Sequence, residues 1–361
     1  MKRISLFLLL FLLLKATVMY SQDGHPETNF RIVPVSPNAA SLGTFGMIPT
    51  DNYVGQANLT IPIYEIDLDG KKFPIALSYH TDGTRVAQEA TWIGLGWTLQ
   101  AGGCVVRQVQ GTDDFAARGC YNLTDAPWLT NPRFEVTDQN LEKYMGYFKG
   151  DYDAEPDMFY FNAGGHSGSM YFDVLKNNRQ LNAVPTIQTQ EKVVKMVYNT
   201  SNKTWTMTDL EGYVYSFSTK EITYYFLNTI DFFQTDITRS HIFPYYNEPQ
   251  IVTAWMLDSV TSPNGGKITF SYKKESIFTP ISTTEDVISL SKIVNGQLSS
   301  QSPQYFTNKF NYNYSYSKIE QWTLSAITFE GGKVEFGTTD REDIESAETG
   351  KKVQKLSLIH I

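Results

Sequence analysis

The sequence has few of the residues that build metal centres and disulfide frameworks. Its two cysteines, Cys104 and Cys120, form no CxxC pair, which excludes a zinc ribbon and a dithiol redox motif. Its five histidines include no HxH or HExxH spacing, so we expect neither a metal site nor a cofactor. In an exported protein the two cysteines could form a disulfide or be two separate buried residues, and their spacing leaves both alternatives open.

Long apolar runs are also lacking. The run Leu6–Leu14 is shorter than the roughly 20 residues that a transmembrane helix needs. It follows Lys2 and Arg3 and precedes the small residues Ala16 and Ser21, a pattern typical of a secretory signal peptide. We expect cleavage after Ser21, with Ala16 as the alternative site, and a secreted or cell-surface protein. An uncleaved anchor is the alternative to a signal peptide.

Positive charge is scarce. Removal of residues 1–21 takes away Lys2, Arg3 and Lys15, which lowers the basic count from 30 to 27 against 38 acidic residues. The mature chain then carries a net charge of −11, and an acidic surface repels nucleic acid. We therefore expect no nucleic-acid partner.

Aromatic residues, by contrast, are abundant, with 22 tyrosines and 22 phenylalanines, and aromatic residues favour strands. The stretch NLTIPIYEIDL alternates in its first half and is followed by Asp69-Gly70, a hairpin signal, and then by FPIALSYH. We predict a hairpin of Leu59–Leu68 with Phe73–His80, within an all-β fold of mainly antiparallel hairpins and sandwich-like sheets.

Glycine turns followed by alternating aromatic strands recur along the chain. They lie at residues 165–174, 209–218, 262–272 and 329–338, each after another strand-like run. Their uneven spacing excludes a regular solenoid and indicates a series of hairpins. Residues 281–305 are rich in Ser, Thr and Gln and predict a long exposed loop or a loose hairpin.

One short packing helix is predicted near residues 137–149. Apolar residues recur there at helical spacing, after a residue able to cap the helix N-terminus. The apolar residues are Leu141, Tyr144, Met145 and Phe148, and the cap is Thr137 or Asp138.

No motif for catalysis is complete. The stretch GGHSG at residues 164–168 resembles a nucleophile elbow, but Gly168 follows Ser167 directly, whereas the elbow needs glycine two places after the serine. We expect these glycines to open a hairpin instead. Acidic residues are expected in exposed loops, where spacing alone does not define a glycosidase pair; they include Asp113, Asp114, Glu155 and Asp157. We therefore expect no enzyme activity.

The stretch WIGLGWTLQAGGCVVRQVQG combines glycines with aromatic rings. Glycine lets a backbone or a ring approach closely, and it adopts the positive φ of a sharp turn. We predict a corner in which a strand, a glycine turn and a return strand follow one another, and in which Arg107 pairs with a carboxylate. The residues of this corner are Trp92, Gly94, Gly96, Trp97, Gly102, Gly103 and Arg107.

Residues 36–115 contain, in order, PNAASLG, the IPIYE hairpin, LSYH and the glycine corner. This order resembles the N-terminal region of large secreted RHS/YD-repeat proteins, the RHS repeat-associated core family. A shorter form of this motif pattern resembles the first segment of toxin-complex B components and related plasmid virulence proteins. Later stretches at 155–173, 256–272 and 331–343 are similar too. The resemblance implies a β-rich region that precedes many YD repeats, which wind a shell, and a variable, often toxic C-terminal segment. It implies a structural role for the corner residues.

We divide the chain into the signal peptide (1–21), a loosely held polar lead-in (22–40), an N-terminal β region with the corner (41–130), a hairpin-rich region (131–355) and a tail (356–361). The tail LSLIHI is also the translation of a common sequencing-library adapter, so we expect it not to be natural protein and the gene to be cut off before the repeats.

Three classes of function remain. The first is a non-enzymatic exported scaffold of an RHS/YD-repeat protein, and its expected partners are cell-surface or secretion components and the rest of its own shell. The second is a secreted carbohydrate-binding or adhesin module, because so many aromatic residues could grip a polysaccharide. The third is a glycoside hydrolase, for which no convergent acid–base set is visible.

Overall fold

The computed structural model describes residues 35–39, 42, 58–80, 88–111, 113–117, 119–122, 141, 145, 153, 155–173, 182–188, 194–233, 250–279, 282–289, 293–294, 297–298, 308–344, 346–347 and 351–361. The predicted signal peptide lies outside these residues. Of the predicted helix near 137–149, only Leu141 and Met145 are described, and both are helical. Within the described residues no helix is long and apolar enough to cross a membrane.

The described residues are mostly antiparallel strands, which confirms the all-β prediction. In the first half of the chain the strands are β1 (Asn58–Leu68), β2 (Lys71–His80), β3 (Trp97–Gln100), β4 (Gly103–Gln108), β5 (Met158–Ala163), β6 (His166–Tyr171), β7 (Asn182–Ala183), β8 (Thr186–Ile187), β9 (Val194–Asn199) and β10 (Thr204–Asp209). They continue as β11 (Val214–Phe233), β12 (Gln250–Thr261), β13 (Lys267–Phe278), β14 (Ser282–Ser289), β15 (Ile293–Val294), β16 (Gln297–Leu298), β17 (Asn308–Phe329), β18 (Gly332–Asp340) and β19 (Gln354–His360). A 3₁₀ turn spans Cys120–Asn122.

A small sheet has the order β1-β2-β3. The predicted hairpin is confirmed, with Leu68 opposite Lys71, and Asp69 and Gly70 take the positive φ angles that a tight hairpin turn requires. The predicted hairpins of β5 with β6, β10 with β11, β12 with β13 and β17 with β18 are confirmed too. Residues 281–305, expected as a loop or loose hairpin, contain β14, which pairs with β17 over Ser282–Ser289.

The large sheet curls until its ends meet. Its strands run in the order β7-β9-β10-β11-β17-β13-β12-β4-β5-β6-β8, and β11 also pairs directly with β12. Only Val184 and Pro185 separate β7 from β8 in the chain, so the strands at the two ends of this order lie close together. The curled sheet contains β4 from the N-terminal β region, between β5 and β12 of the hairpin-rich region.

An aromatic core fills the curled part of the sheet. The Trp205 ring centre lies 4.8 Å from that of Tyr198, 5.3 Å from that of Phe159 and 5.7 Å from that of Phe172. The Trp255 ring meets the Trp205 ring edge-on at 6.1 Å. All five rings are buried, so packing accounts for the aromatic richness of these strands.

A second interior is polar. The pairings of β11 with β12, β12 with β13, β13 with β17 and β17 with β11 form a closed circuit of strands. All four strands contribute buried polar side chains, namely Glu221, Thr223, Thr253, Glu275, Gln321 and Thr323. Residues 35–39 contact this cluster, and Ser36, Asn38 and Ala39 are buried. The end of the polar lead-in is therefore packed rather than loosely held, because its polar groups have partners inside the fold.

Hairpin turns from both sheets meet at one end of the molecule. The Lys71 ammonium, just after the β1–β2 turn, lies 2.6 Å from the Asp209 carboxylate at the β10–β11 turn. The Ser262 hydroxyl at the β12–β13 turn donates to Asp69. These contacts fix the small sheet on the large one.

We predict that Trp205→Ala destabilises the protein by about 3–5 kcal/mol, because a buried indole among four rings is lost and a cavity remains. The measurement is urea unfolding followed by circular dichroism. Leu210→Ala in the following turn is the control, since that side chain is 79% exposed, and its cost should stay within about 0.5 kcal/mol. Equal effects of the two substitutions would contradict the aromatic core.

Candidate functional site

The glycine corner begins with a turn at residues 91–97. The Gly94 amide donates to the Thr91 carbonyl at 3.1 Å, and the Thr91 hydroxyl donates to the Trp97 carbonyl at 2.8 Å. Gly94 and Gly96 have φ angles of 139° and 76°, which side-chain-bearing residues rarely adopt. The sequence therefore needs glycine here for the path of the backbone.

The two tryptophans of the corner lie in different environments. Trp92 is buried, and its ring meets Phe336 edge-on at 6.2 Å. Trp97 is half-buried, and its ring lies 5.1 Å from that of Tyr79 in the neighbouring strand. A side chain at Gly94 would lie 3.6 Å from the Trp97 ring. Trp97 therefore packs beside Gly94, while Trp92 joins the late strand β18 to the corner.

Gly102 and Gly103 carry the chain from the small sheet into the large one. Gly102 has a φ of 95°, and a Cβ on Gly103 would overlap the Asn162 carbonyl oxygen, which leaves no room for a side chain. The predicted return strand is wrong: β3 pairs with β2, whereas β4 pairs with β5 and β12 in the other sheet. The glycines allow a crossing between sheets, and local sequence does not reveal the sheet to which the second strand goes.

A buried ionic cluster lies at the end of β4. Arg107 is 1% exposed, and its Nε donates to Asp157 Oδ2 at 2.8 Å. Its terminal nitrogen donates to both Asp157 and Asp113. The guanidinium lies 5.2 Å from the Phe115 ring centre and 5.6 Å from that of Phe159. Arg107, which the sequence predicted to pair with a carboxylate, thus pairs with two between aromatic faces.

The carboxylates also fix the loops that carry them. Asp157 accepts the Gln110 amide at 2.7 Å and the Asp114 amide at 3.2 Å, and Asp114 accepts the Asp157 amide at 2.9 Å. The expectation that these acids lie in exposed loops is wrong for Asp114 and Asp157, which are 1% and 0% exposed. Their burial depends on Arg107, and pairing between separate loops leaves no local signal in the sequence.

Asp114 is the electrostatically unusual member of this cluster. Its Oδ1 is buried and has no hydrogen-bond partner among the described residues. Burial, together with the negative charge of Asp157, raises the pKa of Asp114 to about 8, although Arg107 opposes this shift. Burial raises the pKa of Asp157 as well, but Arg107 and the hydrogen bonds to Asp157 oppose that shift, so Asp114 is the carboxyl of this pair that burial favours in its protonated form.

This chemistry favours a structural role. Perturbed carboxyl groups can mark active sites, but they must face a substrate. A cavity of about 330 Å³ lies between the sheets, and its described lining is mainly apolar, with Lys72 as the charged residue and no carboxylate. Within the described residues no group of three acidic, histidine or cysteine side chains could hold a metal ion.

The remaining sequence candidates lie apart from this cluster. Gly164 and Gly165 form the β5–β6 turn with positive φ angles, and Ser167 lies in β6, so the predicted hairpin at GGHSG is confirmed. Cys104 and Cys120 are both buried, in β4 and in the 3₁₀ turn, and no disulfide joins these two described residues.

We predict that Gly103→Ala lowers stability by at least about 1–3 kcal/mol, because the new methyl group would overlap the Asn162 backbone, which cannot rotate away. Thermal unfolding measures the effect. At Gly165 a Cβ would meet no atom within 4 Å, so Gly165→Ala should cost only the strain of its positive φ, about 1 kcal/mol. An equal or smaller cost at Gly103 would mean that the corner tolerates side chains.

The Asp114 proton predicts a pH dependence. A raised folded-state pKa contributes stability that is present at low pH and is lost as pH rises through the folded pKa, here about 8. Melting temperature should therefore fall between the unfolded-state pKa of 3.8 and the folded-state pKa of about 8, level off above it, and fall less in Asp114→Asn. Asp67→Asn, at an exposed carboxyl paired with Lys72, is the control and should keep the wild-type slope. An unchanged slope in Asp114→Asn would show that other groups carry the effect.

No protein-family model matches the sequence, and no curated protein matches it. Among solved structures, the chain is similar to the crystal structure of TcdB2-TccC3-Cdc42, with a TM-score of 0.36 and 11% identity over 83% of this chain and 12% of that chain. It is similar to TcdB2-TccC3-TEV, with a TM-score of 0.34 and 10% identity over 84% of this chain and 13% of that one. A mutant Tc holotoxin pore of Photorhabdus luminescens gives a TM-score of 0.33 and 10% identity over 89% and 12%. The chain thus spans only 12% to 13% of the length of these chains.

Proposed function

We propose that this chain is a non-enzymatic, exported scaffold, the N-terminal region of an RHS/YD-repeat protein of the toxin-complex type. The main support for the proposal is that the corner residues pack against other parts of the chain. Gly103 is closed in by the Asn162 backbone, Trp92 packs on Phe336, and Arg107 is neutralised inside the fold. A long sequence signature that serves packing is what a scaffold requires, whereas a binding or catalytic signature would present side chains to a ligand.

The curled sheet supports the same function. The sheet winds around an aromatic interior and a polar interior, as the wall of a small shell would. Its hairpins could extend into a larger shell. β14 pairs only with β17 among the described strands, so within these residues its second edge has no partner strand. We infer that strands of a repeat region add to such an edge.

Burial of most described aromatic rings speaks against the carbohydrate-binding alternative. Among the large apolar side chains that are exposed in the described residues, only Tyr64 and Phe278 are aromatic, at 37% and 39%. A sugar-binding platform needs several neighbouring rings open to solvent. The exported location rests on the basic start, apolar run and small residues of the N-terminus.

The first test reads the genomic locus beyond codon 355 by long-read sequencing. We expect the reading frame to continue into YD repeats, because the hairpins resemble the region that precedes them. A stop codon directly after Ile361 would contradict the repeat-protein proposal.

The second test uses the protein secreted from its full-length precursor. We expect a mature N-terminus at Gln22 by mass spectrometry, no signal on a glycan array and no hydrolysis of chromogenic glycosides. Binding that Tyr64→Ala abolishes would support the adhesin alternative. Hydrolysis lost on changing one carboxylate to its amide would support the glycoside hydrolase alternative.

A further inference from the structure

Residues 35–39 occupy the polar interior, far from their partners in the sequence. The Ser36 amide donates to Glu221 Oε1 at 2.7 Å, and the Ser36 hydroxyl contacts Glu221 Oε2. Asn38 joins two further elements, because its Nδ2 lies 3.4 Å from Gln321 Oε1 and its Oδ1 accepts the Trp92 amide at 2.9 Å. This segment is thus held by side-chain hydrogen bonds and not by strand pairing.

Glu221 is the acceptor on which this docking depends. It is 0% exposed, and its described partners are Ser36 and Thr253, both neutral. Burial raises the pKa of Glu221, although the hydrogen bonds from Ser36 and Thr253 oppose this shift. The Ser36 hydroxyl donates to Oε2 and its oxygen accepts the Ala39 amide at 3.1 Å, while Oε1 accepts the Ser36 amide and lies 3.1 Å from the Thr253 hydroxyl. A proton on Oε1 can be donated to Thr253 Oγ1, because Thr253 can in turn donate to the Thr223 hydroxyl at 3.2 Å.

Among the described residues, the elements around Glu221 supply no positive charge to stabilise its ionised form. On β4 the neighbouring titratable group is the Cys104 thiol, and on β13 it is Glu275, across Gln321. The nearest lysines along these strands are engaged elsewhere: Lys220 donates to the Asn202 carbonyl, and Lys274 pairs with Glu320. An ionised Glu221 would be a buried charge without a counter-ion, which is costly.

We propose that residues 35–39 form a proton-dependent latch, which stays docked while Glu221 carries a proton and is released when Glu221 ionises. Release lets water reach the carboxylate, so the undocked state has the lower affinity for the proton. Docking is therefore fully favoured below the pKa of the undocked state and weakens as pH rises through the pKa of the docked state.

A cysteine beneath the latch reports its position. Ala39 packs in a small apolar cluster with Cys104, Val106, Ala254 and Met256. Cys104 is 0% exposed, so a thiol reagent reaches it only when this cover moves. The protein thus contains its own probe for release of residues 35–39.

The experiment measures alkylation of Cys104 in the full chain by peptide mass spectrometry, with each rate divided by that of the denatured chain at the same pH. This division removes the intrinsic pH dependence of the thiol. From the pKa of the undocked carboxyl, about 4.3 for a solvated glutamate, up to the docked-state pKa, the normalised rate should rise by up to about tenfold for each pH unit, and above the docked-state pKa it should level off. In Glu221→Gln the rise should be absent, because the amide cannot ionise. A rise of the same size in Glu221→Gln, or no rise in the wild type, would overturn the latch.

Two further variants keep the test decisive. Ser36→Ala removes the hydroxyl contact with Glu221, so Cys104 should react faster than in the wild type at every pH of the series. Asp114→Asn removes a buried titrating carboxyl that lies away from the latch, and it should leave the Cys104 rise intact. In that variant Cys120, which lies away from the latch, should not follow Cys104. Parallel rises of both cysteines would indicate global opening and would also overturn the proposal.

Discussion

The buried ion pair between Arg107 and Asp157 holds the fold together. β4 carries the chain from the small sheet into the large one, and all its residues except Gln108 are buried. An arginine on such a strand must be neutralised, since breaking a buried pair by removing one partner costs about 3–5 kcal/mol. Asp157 and Asp113 neutralise it and thereby bring two loops onto the strand. Phe115, which follows Asp113, is placed against the aromatic core by the same contact, with its ring stacked 4.8 Å from that of Tyr198.

Local patterns in the sequence were sufficient to find the hairpins. Asp69-Gly70 and Gly164-Gly165 predict tight turns because their backbone angles suit few other residues, and the structure has both turns. Alternation of apolar residues identified the strands on each side. These predictions succeed because a turn and its two strands are decided within about twenty residues of chain.

The same patterns could not show which distant parts meet. The crossing at Gly102 and Gly103 resembled a hairpin. A glycine turn between two strands has the same sequence pattern whether the second strand joins the same sheet or another one. Asp157 resembled an exposed acid, because its partner Arg107 is 50 residues away. Glu221 carried no signal at all, since its partner Ser36 lies 185 residues earlier. Sites that depend on contacts between residues far apart in the chain therefore could not be predicted from the sequence.

The contact of Ser36 with Glu221 sets an order of events for a chain that is made N-terminus first. Residues 35–39 emerge early, but Glu221 follows 185 residues later and Gln321 lies 283 residues beyond Asn38. The segment must therefore wait, without its native partners, until most of the chain has been made. Closing so long a loop is slow, and unfinished strands aggregate readily. Glu221 and Gln321 thus make the docking of residues 35–39 a late step of folding.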